Sequence, residues 1–168
     1  HPNAFRAASP RASVHMAVAD VASAVARFAL FRGLDTAQTE KVVAAAATRK
    51  LSRGAMLFQQ GGEPTELCLL TEGWIKMTHV TRNGDPIALR FMQRGDHVGG
   101  AALFRGVPFP ATATAASDAT LVTWKASFIR ECIAGSSVVA QNALRLVGDR
   151  ADDFLSRIQE LASDSVEV

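Results

Sequence analysis

The middle of the chain limits what it can fold into more than any other part. Between residues 48 and 125 the apolar residues come in short runs, rich in β-branched and large types. Each run is cut off by a breaker: Arg53-Gly54, Gly61-Gly62, Glu72-Gly73, Asn83-Gly84 or Gly95-Asp96. A helix of ordinary length has no room between such breakers, whereas a strand needs only this much chain. The pattern predicts strands over residues 48–51, 56–58, 67–71, 73–81, 86–92, 112–116 and 119–124. Asn83-Gly84 lies between two alternating runs, and both residues tolerate positive φ, so a tight hairpin is expected there. Many short strands at this spacing favour a small antiparallel barrel or jelly roll.

The flanks have helical periodicity instead. Val18, Val21, Ala22, Val25, Phe28 and Ala29 recur at helical spacing, which predicts a helix over residues 18–30 with Gly33 as its stop. A second helix is expected over 36–47, with Thr36 as N-cap and Val42, Val43 and Ala46 on its apolar side. A short helix over 127–132 and a long one over 136–162 follow the strands. In the long helix Leu144, Val147, Ala151, Phe154, Ile158 and Leu161 alternate at spacings of three and four, flanked by Arg145, Arg150, Asp152, Asp153, Arg157 and Glu160. This is a coiled-coil seam, and it calls for a partner helix from a second copy unless it packs back on its own barrel. The expected class is therefore α+β, mainly β: an antiparallel jelly-roll barrel with N-terminal helices and a long C-terminal dimerisation helix.

Composition removes several functions. The net charge of +2 is spread over scattered Lys and Arg, leaving no basic stripe for nucleic acid. No apolar stretch approaches the roughly 18 residues of a membrane span, so a cytoplasmic protein is expected. Cys68 and Cys132 lie far apart without CxxC spacing, which predicts core fillers rather than a disulfide framework or a cysteine-held iron site. No Ser/His/Asp set, carboxylate pair or metal-ligand cluster suggests an enzyme, and no metal site is expected.

Several short motifs, taken together, resemble one family. Leu30-Phe31-Arg32-Gly33-Leu34 is similar to its leading signature, and Gly54-Ala55-Met56-Leu57-Phe58-Gln59-Gln60-Gly61 to its first hairpin. Leu69-Leu70-Thr71-Glu72-Gly73-Trp74-Ile75-Lys76 is similar to the next hairpin, and Gly95-Asp96-His97-Val98-Gly99 to the strand that leads into a phosphate-binding cassette. Over residues 28–162 the chain resembles the effector domain of the cAMP receptor protein and fumarate-nitrate regulator (Crp/Fnr) family of bacterial transcription regulators. Residues 1–13 mix Pro, Ser, Ala and Arg without periodicity and are expected to form a mobile arm, and the resemblance implies a cyclic nucleotide-binding-like sensor domain at 14–133 and a dimerisation helix at 134–163. Residues 164–168 would begin a linker to a C-terminal helix-turn-helix that binds DNA and lies outside this chain. A homodimer acting on DNA through that domain is the expected assembly.

In the family the cassette offers a Glu to the ribose and an Arg to the cyclic phosphate. The matching stretch here is Gly99, Gly100, Ala101, Ala102 and Leu103, followed by Phe109, Pro110, Ala111 and Thr112. Gly100 stands at the Glu position and Phe109 at the Arg position. Losing a charge-assisted bond to a phosphate forfeits about 1.5–3 kcal/mol, so cAMP and cGMP are not the expected ligands. Restoring Glu at 100 and Arg at 109 is expected to raise cyclic nucleotide affinity. The effector stays open; an apolar ligand or a haem would suit the cassette. For a haem the axial candidates are His15, His79 and His97, with Met16, Met77 and Met92 weaker. The alternatives are a stand-alone cyclic nucleotide-binding module and a haem-dependent gas sensor of the same family. Trp74 and Trp124 are expected to seal the barrel, and Arg105 to be a solvated surface charge.

Overall fold

The computed structural model describes residues 18–164, with the side chains of residues 154, 157, 161 and 164 outside that description. The arm expected at 1–13, the candidates His15 and Met16, and all but the first residue of the expected linker lie outside the described residues. Helix α1 (Val18–Arg27) is followed by a 3-10 turn (Ala29–Phe31) and α2 (Thr36–Ala45). Eight strands follow: β1 (Ala47–Leu51), β2 (Met56–Phe58), β3 (Glu66–Glu72), β4 (Ile75–Val80), β5 (Pro86–Met92), β6 (His97–Val98), β7 (Thr112–Ala115) and β8 (Ala119–Lys125). Helix α3 (Gly100–Arg105) interrupts them after β6, and α4 (Ala126–Gly135) and α5 (Ser137–Asp164) end the described chain.

The strands form two four-stranded antiparallel sheets in the orders β1-β8-β3-β6 and β2-β7-β4-β5. This is the expected jelly roll. The middle strands of the first sheet, β3 and β8, are buried on both faces, and their sequence follows from that. In β3, Cys68 and Leu70 face the core between the sheets, while Leu67 and Leu69 face a second core shared with the helices. Side chains alternate along a strand, so a strand covered on both sides must be apolar at successive positions. Leu67-Cys68-Leu69-Leu70 and Leu121-Val122 meet that demand, and Leu67, Leu70, Leu121 and Val122 have no exposed surface.

Several local expectations are corrected. The first helix ends at Arg27, and Ala29–Phe31 turn more tightly so that Phe28 and Phe31 reach the core. Asp35, not Thr36, caps α2: its carboxylate accepts from the Gln38 backbone N–H while the Gln38 side chain accepts from the Asp35 N–H, a complete capping box. The β4–β5 hairpin turns through Thr81 to Asp85, with the Thr81 N–H donating to the Asp85 carbonyl, and only Gly84 adopts positive φ. Trp124 is buried as expected, its indole N–H donating to the Val42 carbonyl at 2.9 Å. Trp74 is not; it belongs to the β3–β4 turn rather than a strand and is 47% exposed.

Helix α5 is tied to the body by a residue with no obvious sequence signal. Asn142 is buried and donates through Nδ2 to the carbonyls of Leu30 and Arg32, both at 2.9 Å. These carbonyls end the 3-10 turn, where the backbone has run out of helical partners. Val139 and Ala143, flanking Asn142, are buried in the helix-side core. Further along, the seam residues Leu144 and Ile158 are 73% and 45% exposed, and Leu155 beside them is 55% exposed. Leu144 and Ile158, the seam residues with the most exposed described side chains, do not pack back on the barrel.

Candidate functional site

Strand β6, helix α3 and the loop to β7 form the cassette at one end of the barrel. Gly99 caps α3 in the left-handed conformation, φ 78°. A Cβ there would lie 2.6 Å from Cε1 of Phe109 and 2.9 Å from Cε1 of Phe58, so glycine is required by both backbone and space. The two phenyl rings stack with centroids 3.7 Å apart and planes 7° from parallel. Phe109 is fixed further by its backbone, whose N–H donates to the Gly62 carbonyl at 2.9 Å and whose carbonyl accepts from Gly61 at 2.8 Å. At the expected Arg position there is thus a stacked aromatic pair, Phe109 buried and Phe58 half-buried, whose side chains offer no polar group.

Gly100 is equally committed. A Cβ on it would stand 2.4 Å from His97 Nδ1 and 3.2 Å from Leu67 Cδ1. The expectation that Glu at 100 restores a nucleotide site therefore meets a steric obstacle: the imidazole occupies the space. Ala102, Leu103, Ala111 and Thr112 are buried, Ala101 is half-buried and Pro110 is exposed. Thr112 is spent on structure, its hydroxyl oxygen accepting from the Gln60 N–H at 3.0 Å. Arg105 is exposed, as expected.

His97 itself is buried among the rings of Phe28 and Phe104, with centroids at 6.1 and 6.4 Å. Its Nδ1 has no hydrogen-bond partner among the described residues. Burial, then the positive charges of Arg150 and Arg90, push its pKa down to about 4, so the ring is neutral at physiological pH. The His97 carbonyl accepts from Arg150 Nη2 of α5 at 3.1 Å. Arg90 of β5 reaches the same helix, its Nη1 lying 3.8 Å from Asp153 Oδ2, while its buried Nε has no partner among the described residues. The cassette and the long helix are therefore joined through Arg90, His97, Arg150 and Asp153, three of them cationic or neutral bases. Sequence reading singled out His97 alone of these; Arg90 and Arg150 look like ordinary surface charges in an alternating strand and a charged helix.

The register of the second sheet sets the rest of the site. Phe58 opposes Ala113, Ala113 opposes Met77, and Met77 opposes Arg90, so these four share one face in a row across β2, β7, β4 and β5. On the other side of the aromatic pair a cleft of about 240 Å³ is lined by Phe58, Phe109, Leu57, Cys68, Arg49 and Glu66, among others. Arg49 and Glu66 pair there at 3.4 Å. Burial pushes the Cys68 thiol up to about 12, with Glu66 adding to the effect, and burial also raises Cys132, so both are poor thiolates and serve as packing.

Of the haem-ligand candidates among the described residues, neither histidine is placed to hold a haem. His79 Nδ1 is 2.9 Å from the Pro110 carbonyl, and His97 is enclosed by side chains. Neither of the two clefts, of about 320 and 240 Å³, is lined by either histidine. Met92 is buried in the core between the sheets, and Met77 packs against it.

Comparison with known proteins agrees with this architecture. A family model described as cyclic nucleotide-binding domain matches residues 48–136, more than half of the chain. The structure is similar to the N-terminal domain of a transcriptional regulator from Streptomyces coelicolor A3(2), with 27% identity and TM-score 0.62 over 79% of this chain and 93% of that one. It is also similar to the catabolite activator protein of Thermus thermophilus (22% identity, TM-score 0.68, 80% of this chain and 63% of that one). The sensor domain of the regulator DNR from Pseudomonas aeruginosa has 20% identity and TM-score 0.67, over 77% of this chain and 91% of that one. The chain spans 64%, 64% and 63% of the first three structures that it resembles. A search of curated protein sequences finds no match. Among the described residues no helix is long and apolar enough to cross a membrane. With the eight-strand jelly roll, the inserted cassette and the family match in agreement, the chain belongs to the cyclic nucleotide-binding domain family.

Proposed function

We propose that the chain is the effector-sensing and dimerising part of a Crp/Fnr-type transcription regulator, and that its effector is not cAMP. The observation that carries this is α5, which is fastened to the cassette through Arg150 and the His97 carbonyl and then exposes Leu144, Leu155 and Ile158. A helix so placed transmits a change at the cassette to whatever packs on its seam, and a second α5 is the partner that a heptad seam accepts. The similarity to the Streptomyces and Pseudomonas regulator domains supports the same reading. DNA binding falls to a further domain, since the charges here form no recognition surface.

Against cAMP stand Gly100 and the Phe58–Phe109 pair, which occupy the positions where the family offers Glu to the ribose and Arg to the phosphate. Sedimentation of residues 1–168 combined with calorimetry tests the whole proposal. The expected result is a dimer that releases no binding heat with cAMP. A monomer at high micromolar concentration refutes the dimer, and a micromolar dissociation constant for cAMP refutes the selectivity.

A further inference from the structure

The cleft of about 320 Å³ lies away from the cassette, between α1 and the first sheet, and the sensor role does not use it. Three elements supply its walls, and each brings a cation. On α1, Val21 and Val25 are buried in the helix-side core, so Asp20, Ala24 and Arg27, which recur at helical spacing beside them, overlook the sheet. On the sheet, Leu51 and Leu121 point into the core between the sheets, so their neighbours Lys50 and Thr120 point to the helix side. Lys50 opposes Thr120 and Thr120 opposes Glu72, which makes a polar row across β1, β8 and β3 on one wall of the cleft. Arg94, in the turn between β5 and β6, closes the third side. That turn is held against β3, because the Gly95 N–H donates to the Leu70 carbonyl at 2.8 Å and the Leu70 N–H to the Asp96 carbonyl at 2.9 Å.

Arg27, Lys50 and Arg94 thus share one cleft with Asp20 and Glu72, yet among the described residues none of these side chains forms an ion pair. Opposite charges gathered for stability pair with one another, as Arg49 and Glu66 do at 3.4 Å. Three cations left without partners around one concavity instead focus a positive potential into it.

We infer that this cleft binds the phosphate monoester of a sugar or polyol, with Arg27, Lys50 and Arg94 on the phosphate and Asp20 and Glu72 on the hydroxyls of the body. The site is separate from the cassette, and the inference does not rest on the sensor role. A phosphate monoester carries a charge of about −1.5 to −2 and three acceptor oxygens, which suits cations that approach from three sides. A carboxylate accepts hydrogen bonds and offers none, so a body placed against Asp20 and Glu72 must present donors, as a row of hydroxyls does. Phe28 and Leu69 give the cleft an apolar strip for the carbon side of that body. The volume is at the lower end of ligand pockets, about 300 Å³, and so fits a small ligand. An occupant would also touch Phe28, whose ring centroid lies 6.1 Å from that of His97, and the turn that leads into β6.

Calorimetry on residues 1–168 at low salt tests it, with ribose 5-phosphate as the probe and inorganic phosphate and ribose as its two halves. Ribose 5-phosphate is expected to bind, and each half to bind at least about tenfold more weakly. Arg27→Gln, Lys50→Gln and Arg94→Gln should each weaken it by about tenfold, the usual result of losing a charge-assisted hydrogen bond. Arg130→Gln, at an exposed cation on α4 outside the cleft, should leave the affinity within about twofold. Asp20→Ala should narrow the preference for ribose 5-phosphate over phosphate by about threefold or more. All five side chains are exposed, so the variants should melt as the unmodified chain does, and any that does not is set aside in favour of the others. The inference is overturned if ribose 5-phosphate does not bind, if phosphate binds as tightly, or if the preference survives Asp20→Ala unchanged. It is overturned equally if the three cleft cations can be replaced without loss, or if Arg130→Gln weakens binding as much as they do.

Discussion

Acidification should destabilise this domain through one residue, His97. Its imidazole has an ordinary pKa of 6.5 when the chain is unfolded and about 4 in the fold, where burial and then Arg150 and Arg90 oppose its charging. Between these values the unfolded state holds the extra proton, so stability rises with pH. The contribution is fully present above about pH 6.5, is lost as pH falls toward about 4, and then levels off. At about 1.4 kcal/mol per pH unit, the window amounts to about 3 kcal/mol, a large fraction of a small domain's stability of about 5–15 kcal/mol. Urea denaturation at several pH values across that window measures it. The comparison that isolates His97 is His97→Leu, which cannot titrate and leaves no unpaired nitrogen in an apolar setting. The unmodified protein should lose about 2 kcal/mol more than the variant between neutral pH and about pH 4.5. Equal losses in both proteins would show that the imidazole is solvated or paired, and the account of the cassette given above would fail.

Gly100→Ala should cost about 1–3 kcal/mol by overpacking against His97, and most of that should be recovered when His97→Ala is added; additive losses in chemical denaturation would contradict the contact. Gly100→Glu should consequently fail to create cAMP affinity by calorimetry. Phe109→Ala, which empties the position stacked on Phe58, should lower stability by about 3–5 kcal/mol and enlarge the adjoining cleft, and a loss below about 1 kcal/mol would mean that the stack is loose. Replacing Phe154 and Ile158 together by Asp should give a monomer by sedimentation while the thermal transition of the barrel persists.

The strands were legible because breakers and runs speak for themselves: β2 and β5 begin and end where the residue pattern places them. Strand β6 has two residues and no periodicity of its own, and only its likeness to a known motif marks it. Trp74 misled because size and apolarity indicate a core, while its place in a turn depends on register, which no single residue carries. The cassette was visible as a departure from pattern at Gly100 and Phe109. What fills the vacated space was not. Arg150 meets the His97 carbonyl across 53 positions, and Asn142 reaches the 3-10 turn across 112 positions. Contacts of that kind come from packing and leave no local trace.

Strand β8 lies between β1 and β3 in the first sheet, hydrogen-bonded to both, yet it is the last of the eight described strands to be synthesised. On the ribosome, β1 and β3 therefore emerge with no neighbour between them, and their apolar faces stay uncovered until residue 125 has left the exit tunnel. Closing a loop of this length before any contact rewards it makes folding slow relative to a helical bundle of the same size. A nascent chain halted before β8 exposes the apolar strand β3 with one edge unpaired, an arrangement prone to aggregate or to recruit a chaperone. Because α4 begins at the residue after β8, completion of the barrel and the start of the helical tail are a single event in synthesis. The barrel therefore closes only as α4 begins to emerge.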